Sequence, residues 1–571
     1  MCQQCSTIAS ESFRPSKVLP MSQMFASSDG RYLAQVLTDG TFQIIDLLAA
    51  SQRKHFSYII HFPSSVRQAL SEVRFLRWSP EQIVIERTAE GEEESLKEGC
   101  QSSKLVSWLA IASTHRLLVL EVQIPHTTTG CPVENHVLAD IEFPKSNGKI
   151  SALDFVFDHN SVLIMFDIAP HATILSLAKA QRDELPNRKF STAQSYAISK
   201  DAISVALLVR DKHADFVALF KHGEMVTSFK AETIDAHGIM WCPDGRPILC
   251  VWDSAAYGTK VHFYTAMGHT LKQLDIFPNS FFDHGPGFDF PGTGISAIAW
   301  SLQAGSRTNT ALTIGDGSRR IIIRRQNSQS LTVEHTSVLE IPKALNGFKT
   351  QIWQQVERHL YQQETGIWEL KAGGSGTVTM ISISADGQRI ASVTECQPNM
   401  ILIWQIGKSE PISAMILQRD VRQILWHPSF STVLTITTNA HAADVHVWYG
   451  TDTAPLSTTI PRLHEVSSSK WEAKWLTRIN DNEGSHVFTM SSMKYFDAGS
   501  LGVVEGGLVF ESVFFDDKLL PPSDESTLQF ETPSKTVNNT GIPSASIPPS
   551  AYTNSGFWIS ASQSSNSAGR R

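Results

Sequence analysis

The sequence predicts an all-β chain in which short sheets repeat and stack as a β-propeller, and three observations carry that prediction. The first is an internal repeat. VTMISISADGQRIASVTECQPNMILIWQI, starting at Val378, holds an alternating apolar run, the turn Ala385-Asp386-Gly387, a second run through Ile390 and Val393, and a third run ending in Trp404. VRQILWHPSFSTVLTITTNAHAADVHVWY, starting at Val421, repeats that order and closes on Trp448. Alternation of apolar and polar residues is the period of a half-buried strand. The second observation is the spacing, since a closing Trp after three short strands at roughly 40–45 residues is the signature of a WD40-type blade. The third is physical: one such sheet cannot bury both of its faces, so the units must pack in an array. The expected fold is a WD40-type β-propeller of about nine degenerate units with a disordered C-terminal tail. Nine exceeds the roughly four to eight blades usual for one ring, so one large ring or two smaller propellers are both open.

In chain order, Met24 to Leu47 gives blade one, with turns at Ser28-Asp29-Gly30 and Thr38-Asp39-Gly40 and a terminal Asp46. Blade two starts at Val73, is interrupted by an acidic insertion from Glu86 to Lys104, and resumes at Leu105. The insertion reads as a solvated loop. Blade three is Ile150 to Leu177, blade four Ala193 to Phe229, and blade five Ile234 to Leu274. The literal Trp252-Asp253 pair falls in the second run of blade five, so it is not the closing pair of a blade. Blade six is Ile295 to Leu331, with Arg319-Arg320 and Arg324-Arg325 flanking a strand in the manner of a solvated edge. Between Leu339 and Gly376 lies an insertion in which QIWQQVERHL suits either a short helix or a strand leaving blade six. Blades seven and eight are the opening pair, and Ser468 to Leu501 forms a ninth unit of three strands. A fourth strand from Phe13 to Leu19 would close the array with both termini and remove open edges. The expected organisation is a disordered stretch over 1–12, a propeller over 13–502 and a Ser/Thr/Pro-rich, largely disordered tail over 503–571.

Composition narrows the function. A net charge of −8 argues against a surface built to neutralise nucleic-acid phosphates. The absence of any apolar run of about 18 residues predicts no membrane span, and the N-terminus lacks the pattern of a signal peptide. Seven scattered cysteines fit free thiols in a reducing compartment. Cys2 and Cys5 have CxxC spacing, but no second pair follows in register for zinc. There is no phosphate-binding GxxxxGK[ST], no HExxH and no GxSxG. No enzyme, cofactor or metal is expected. His262, His427 and His446 read as structural histidines in or beside strands. Trp78, Trp241, Trp300 and Trp426 in first strands, with Trp404 and Trp448 in third strands, read as blade core. Phe281, Phe282, Phe288 and Phe290 in the Gly/Pro-rich stretch Pro278 to Gly292 either tuck onto the propeller or form an exposed partner-binding patch, and Phe557 and Trp558 in the tail are either a short docking motif or without a role.

Three groups of residues resemble one family. They are MWCPDGRPILCVWDSAAYGTKVHFYTAMGHTLKQL (240–274), GISAIAWS with LTIGDGSRRIII, and TECQPNMILIWQI followed by VRQILWHP. In order and spacing they are similar to the WD repeat-containing protein 8 family, WD-repeat proteins of centrosomes and spindle poles, over roughly Met24 to Leu501. The resemblance implies a non-enzymatic scaffold in the cytoplasm and cytoskeleton, at the spindle pole body or centrosome. It implies as partners a coiled-coil anchoring protein and, in fungi, a minus-end-directed kinesin, in an assembly that tethers microtubule minus ends. Microtubule contact would be indirect. The alternatives are an RNA- or translation-associated propeller, which needs a basic face, and a general WD40 adaptor such as a ubiquitin-ligase substrate receptor.

Overall fold

The computed structural model describes residues 21–512 apart from 28–30, 38–41, 48–56, 61–72, 80–81, 86–102, 124–133, 180, 277–293, 303–307, 358–359, 371–375, 452, 464–470, 478–485, 493–495 and 505–506. Nine blade sheets succeed one another along the chain, seven of them ordered as the strands occur in sequence, with Gln82–Ile85 set off the path of blade two and blade seven reordered. Blade one covers 21–60, two 75–142, three 150–187, four 196–230, five 236–265, six 295–340, seven 378–416, eight 421–459 and nine 472–512. The chain is therefore a WD40-type propeller with the nine units read from the sequence. Trp404 stands opposite Ile390 and Trp448 opposite Leu434, the same register position in two successive blades.

Alternation along each strand sends successive side chains to opposite sheet faces, and each face meets the neighbouring blade. Eight apolar cores result, one between each consecutive pair of blades from the first to the ninth. The second strand of blade three, SVLIMF, is buried along its whole length because both its faces are covered. This succession of shared cores has no break that would divide the described residues into two arrays, and it favours one continuous propeller.

Polar side chains repeat the same linkage at the first strands. Arg74 donates to Ile150 O at 2.8 Å, Ser296 to Val378 O at 2.7 Å and Arg422 to Trp471 O at 2.5 Å, each reaching from one blade to the start of the next. Ser296 and Arg422 sit where the ladder register shifts, and such a bulge re-aims a side chain. In the opposite direction, Trp241 Nε1 donates to Ala197 O of blade four, and Trp426 Nε1 to Ser382 O of blade seven. The predicted blade-core tryptophans Trp78, Trp241, Trp404, Trp426 and Trp448 are buried. Trp300 departs from that expectation: it is half-buried, edge-on to Phe263.

Two further expectations change. QIWQQVERHL forms no helix. Gln351–Gln355 is a strand, and it belongs to blade seven rather than leaving blade six. It runs parallel to Ser413–Ile416 and antiparallel to Tyr361–Glu364, which makes blade seven six-stranded. The ninth unit supplies its own fourth strand, Gly507–Ser512, paired with Phe496–Val504. The sheet thus continues past the expected boundary at 502 without Phe13 to Leu19, which lies outside the described residues. Among the described residues, blade five has three strands. The literal Trp252-Asp253 pair ends its second strand, Ile248–Asp253, as read from the sequence.

Candidate protein-docking site

The insertion before blade seven departs most from a four-stranded unit. Asn346-Gly347 and Thr365-Gly366 are turn dipeptides, and between them the chain folds back on itself. Ala344–Asn346 pairs with Ile367–Glu369, enclosing the hairpin of Gln351–Gln355 and Tyr361–Glu364. Gly366, at φ 99°, adopts the left-handed turn that glycine accepts without cost.

Neighbouring residues of the inner strand serve two different cores. Ile352 enters the core between blades six and seven, while Trp353 enters the core between seven and eight. Leu345 and Leu370 join Ile352. Tyr361 packs against the other core, and its hydroxyl lies 2.6 Å from His446 Nδ1 on the third strand of blade eight. Burial holds that hydroxyl protonated, and it shares one hydrogen bond with the imidazole whose direction follows the His446 tautomer. Tyr361→Phe is expected to destabilise the chain by about 1 kcal/mol, the usual net value of one such bond, read as a lowered urea midpoint.

With that apolar surface buried, the insertion still exposes four large hydrophobic residues. Phe348 is 85% and Ile367 76% exposed at one end, and Leu360 and Val356 lie at the tip of the hairpin. Single exposed apolar residues are ordinary, but a group on one element marks a contact surface. Phe348 also borders a groove of about 1020 Å³ between the insertion, the turn Gly407 to Pro411 of blade seven and Tyr449 to Thr453 of blade eight. Ile412 and the buried Trp448 contribute to its lining. Lys349 and Glu410 form a solvent-exposed ion pair at 3.2 Å beside it, and Lys408 lies exposed at the rim. A groove with an aromatic on its rim and charges of both signs suits an extended protein segment that seats one or two apolar side chains.

None of the partner residues expected from sequence falls here. Phe281, Phe282, Phe288, Phe290, Phe557 and Trp558 lie outside the described residues. His262, His427 and His446 are all buried. Phe348 and Ile367 escaped the sequence reading because the insertion has no counterpart in the repeat. The two turn dipeptides were the available signal.

No family model matches the chain. The WD repeat-containing protein WRAP73 of Mus musculus is 24% identical over 272 residues, 41% of this chain and 54% of that protein. The chain thus spans about half the length of this curated relative. Among solved structures, Chaetomium thermophilum Sqt1 bound to the N-terminus of the ribosomal protein L10 is similar at TM-score 0.36 and 10% identity, over 74% of this chain and 95% of that one. Saccharomyces cerevisiae Sqt1 is similar at 0.41 and 9% identity, over 68% and 92%. Kluyveromyces lactis Hsv2p is similar at 0.34 and 10% identity, over 64% and 97%. These likenesses are weak in geometry, and the fold assignment rests on the nine sheets themselves.

Proposed function

We propose that this propeller is a non-enzymatic protein-interaction scaffold at the spindle pole or centrosome, and that the groove beside the blade-seven insertion receives a segment of a coiled-coil anchoring protein. The observation that carries the docking reading is the insertion itself. It commits Leu345, Ile352, Trp353 and Leu370 to two blade cores and still presents Phe348, at the groove, and Ile367 to solvent. A rigid scaffold that positions an apolar rim is the arrangement that loops on propellers use for recognition. The location is supported by the resemblance of 240–274, of GISAIAWS with LTIGDGSRRIII, and of TECQPNMILIWQI with VRQILWHP to the spindle-pole WD-repeat family. The likeness to a WD repeat-containing mouse protein supports the WD-repeat scaffold class. A minus-end-directed kinesin is the second partner this reading assigns, with microtubule minus ends held through the assembly.

Affinity purification of the tagged chain from dividing cells, with imaging of the same tag, tests the proposal. The expected result is a coiled-coil protein in the eluate and a focus at each spindle pole. Ribosomal proteins, or subunits of a ubiquitin ligase, together with a diffuse signal would replace this reading by one of the other two.

A further inference from the structure

We propose that blade five binds a divalent metal ion, zinc by its donor set, between His262, Asp275 and Glu232. The three-stranded blade creates the site. Its outer strand, Val261–Thr265, would leave an open edge, and the chain from Ala266 to Ile276 folds back to cover it. Val261 and Ile276 exchange both backbone hydrogen bonds, Leu271 N donates to Phe263 O, and Asp275 Oδ1 accepts the Phe263 amide at 2.9 Å. That last bond fixes the Asp275 carboxylate and aims its other oxygen at the strand. Oδ2 lies 3.5 Å from His262 Nδ1, and Glu232 Oε2 reaches the same nitrogen at 3.9 Å from the segment that enters the blade.

The three donor atoms lie within 4.8 Å of one another, one imidazole nitrogen and two carboxylate oxygens. Zinc at bond lengths of about 2.0–2.1 Å sets tetrahedral donors about 3.4 Å apart; the two separations from His262 Nδ1, 3.5 and 3.9 Å, are close to that, and the Asp275 and Glu232 oxygens, within 4.8 Å, draw together as the solvent-side Glu232 chain swings in. His262 and Asp275 are buried, whereas Glu232 stands at the solvent side and leaves room for water as a fourth ligand.

The charge around the site points the same way. Asp253 lies on the second strand, diagonal to His262 in the ladder, and is fully buried. Its Oδ1 accepts the amides of Ile234 and Asp235, and its Oδ2 has no hydrogen-bond partner. A buried carboxylate oxygen without a donor is costly unless a cation is near. Arg324 is the buried cation here, and its guanidinium donates to two backbone carbonyls, Asp275 O at 2.6 Å and Gln273 O at 2.9 Å. With half-buried Lys260, two basic groups face three carboxylates. A bound cation neutralises the remaining negative charge and clips the returning chain to the open strand.

The test uses the full chain, stripped with chelator and titrated with zinc chloride while metal content and Tm are measured. One zinc per chain and a raised Tm are expected for the wild type. Asp275→Asn, which keeps an oxygen for the Phe263 amide, should abolish both effects. Glu232→Gln, at a half-exposed position with little to lose in folding, should keep the metal-free Tm and weaken zinc affinity by at least about 10-fold, since a lost ligand costs no less than a lost outer-shell partner. Absence of zinc uptake by the wild type, or equal uptake by Glu232→Gln and Asp275→Asn, would leave His262 and Asp275 a plain ion pair and overturn the site.

Discussion

Trp448→Ala is expected to lower stability by about 3–5 kcal/mol, the range for truncating a large buried aromatic, and Trp404→Ala by a similar amount. Both side chains are fully buried at the end of a third strand. Trp448 meets Trp426 edge-on at a ring separation of 6.1 Å, within the core shared by blades seven and eight. Alanine leaves a cavity that a sheet held by hydrogen bonds on both sides cannot collapse to fill. Trp404 lies one interface earlier, in the core between blades six and seven, and its Nε1 donates to Ser392 Oγ at 3.0 Å. Its removal also strands that hydroxyl. A guanidinium unfolding curve of each variant checks this. An unchanged midpoint in either would show that the repeat register, and with it the pairing of these two blades, is wrong.

The second large effect is expected in acid and centres on His427. This imidazole is fully buried. Its Nδ1 accepts two backbone amides, Ser429 N at 3.1 Å and Phe430 N at 3.0 Å. The ring sits 4.6 Å from Trp475 and 4.7 Å from His486. Burial, and secondarily the neighbouring His486, push its pKa down to about 3. A nitrogen that already accepts two amides cannot take a proton without losing both bonds. The unfolded chain binds the proton near the ordinary histidine value of about 6.5, so the unfolded state gains protons first as pH falls. The stabilisation from neutral His427 is complete above that value and is lost as pH falls from about 6.5 to about 3, at up to about 1.4 kcal/mol per pH unit. His427→Asn, whose carbonyl oxygen can take over the amides, should be less stable than the wild type at neutral pH but show a flatter loss of Tm between about pH 6 and pH 4. Parallel pH profiles for the two proteins would contradict the assignment.

Much of this was legible in the sequence, and the reason is periodicity. The unit from Val378 to Trp448 contains both the strand alternation and the closing Trp, so its register could be read directly, and Trp404 and Trp448 fell where expected. The nine units followed from weaker copies of that pattern. What could not be read depends on pairing between distant segments. Gln351–Gln355 is short, and its partner on the sheet side, Ser413–Ile416, lies more than fifty residues away in parallel. Local periodicity does not register such a pairing. Gly507–Ser512 reads as one short apolar run, Leu508-Val509-Phe510, with no turn-and-repeat context, and its alternation shows only in the sheet, where Leu508 and Phe510 turn into the core as it pairs with Phe496–Val504. The Glu232, His262 and Asp275 set has no sequence spacing to recognise. It exists because the chain from Ala266 to Ile276 folds back along the third strand of blade five.

The groove reading is likewise the product of three dimensions, since Phe348 and Tyr449 are brought together only by the packing of blade seven on blade eight. Its decisive test is parallel affinity purification of the wild type and the double variant Phe348→Asp, Ile367→Asp, both tagged and expressed in dividing cells. Both residues are solvent-facing, so the variant should keep the wild-type Tm. The account expects the variant to lose the coiled-coil partner at least about tenfold, which is about 1.4 kcal/mol of binding, and to lose the polar focus with it. Retention of the same partner at the same yield, in a variant that folds normally, would contradict the claim that this propeller binds through its blade-seven insertion.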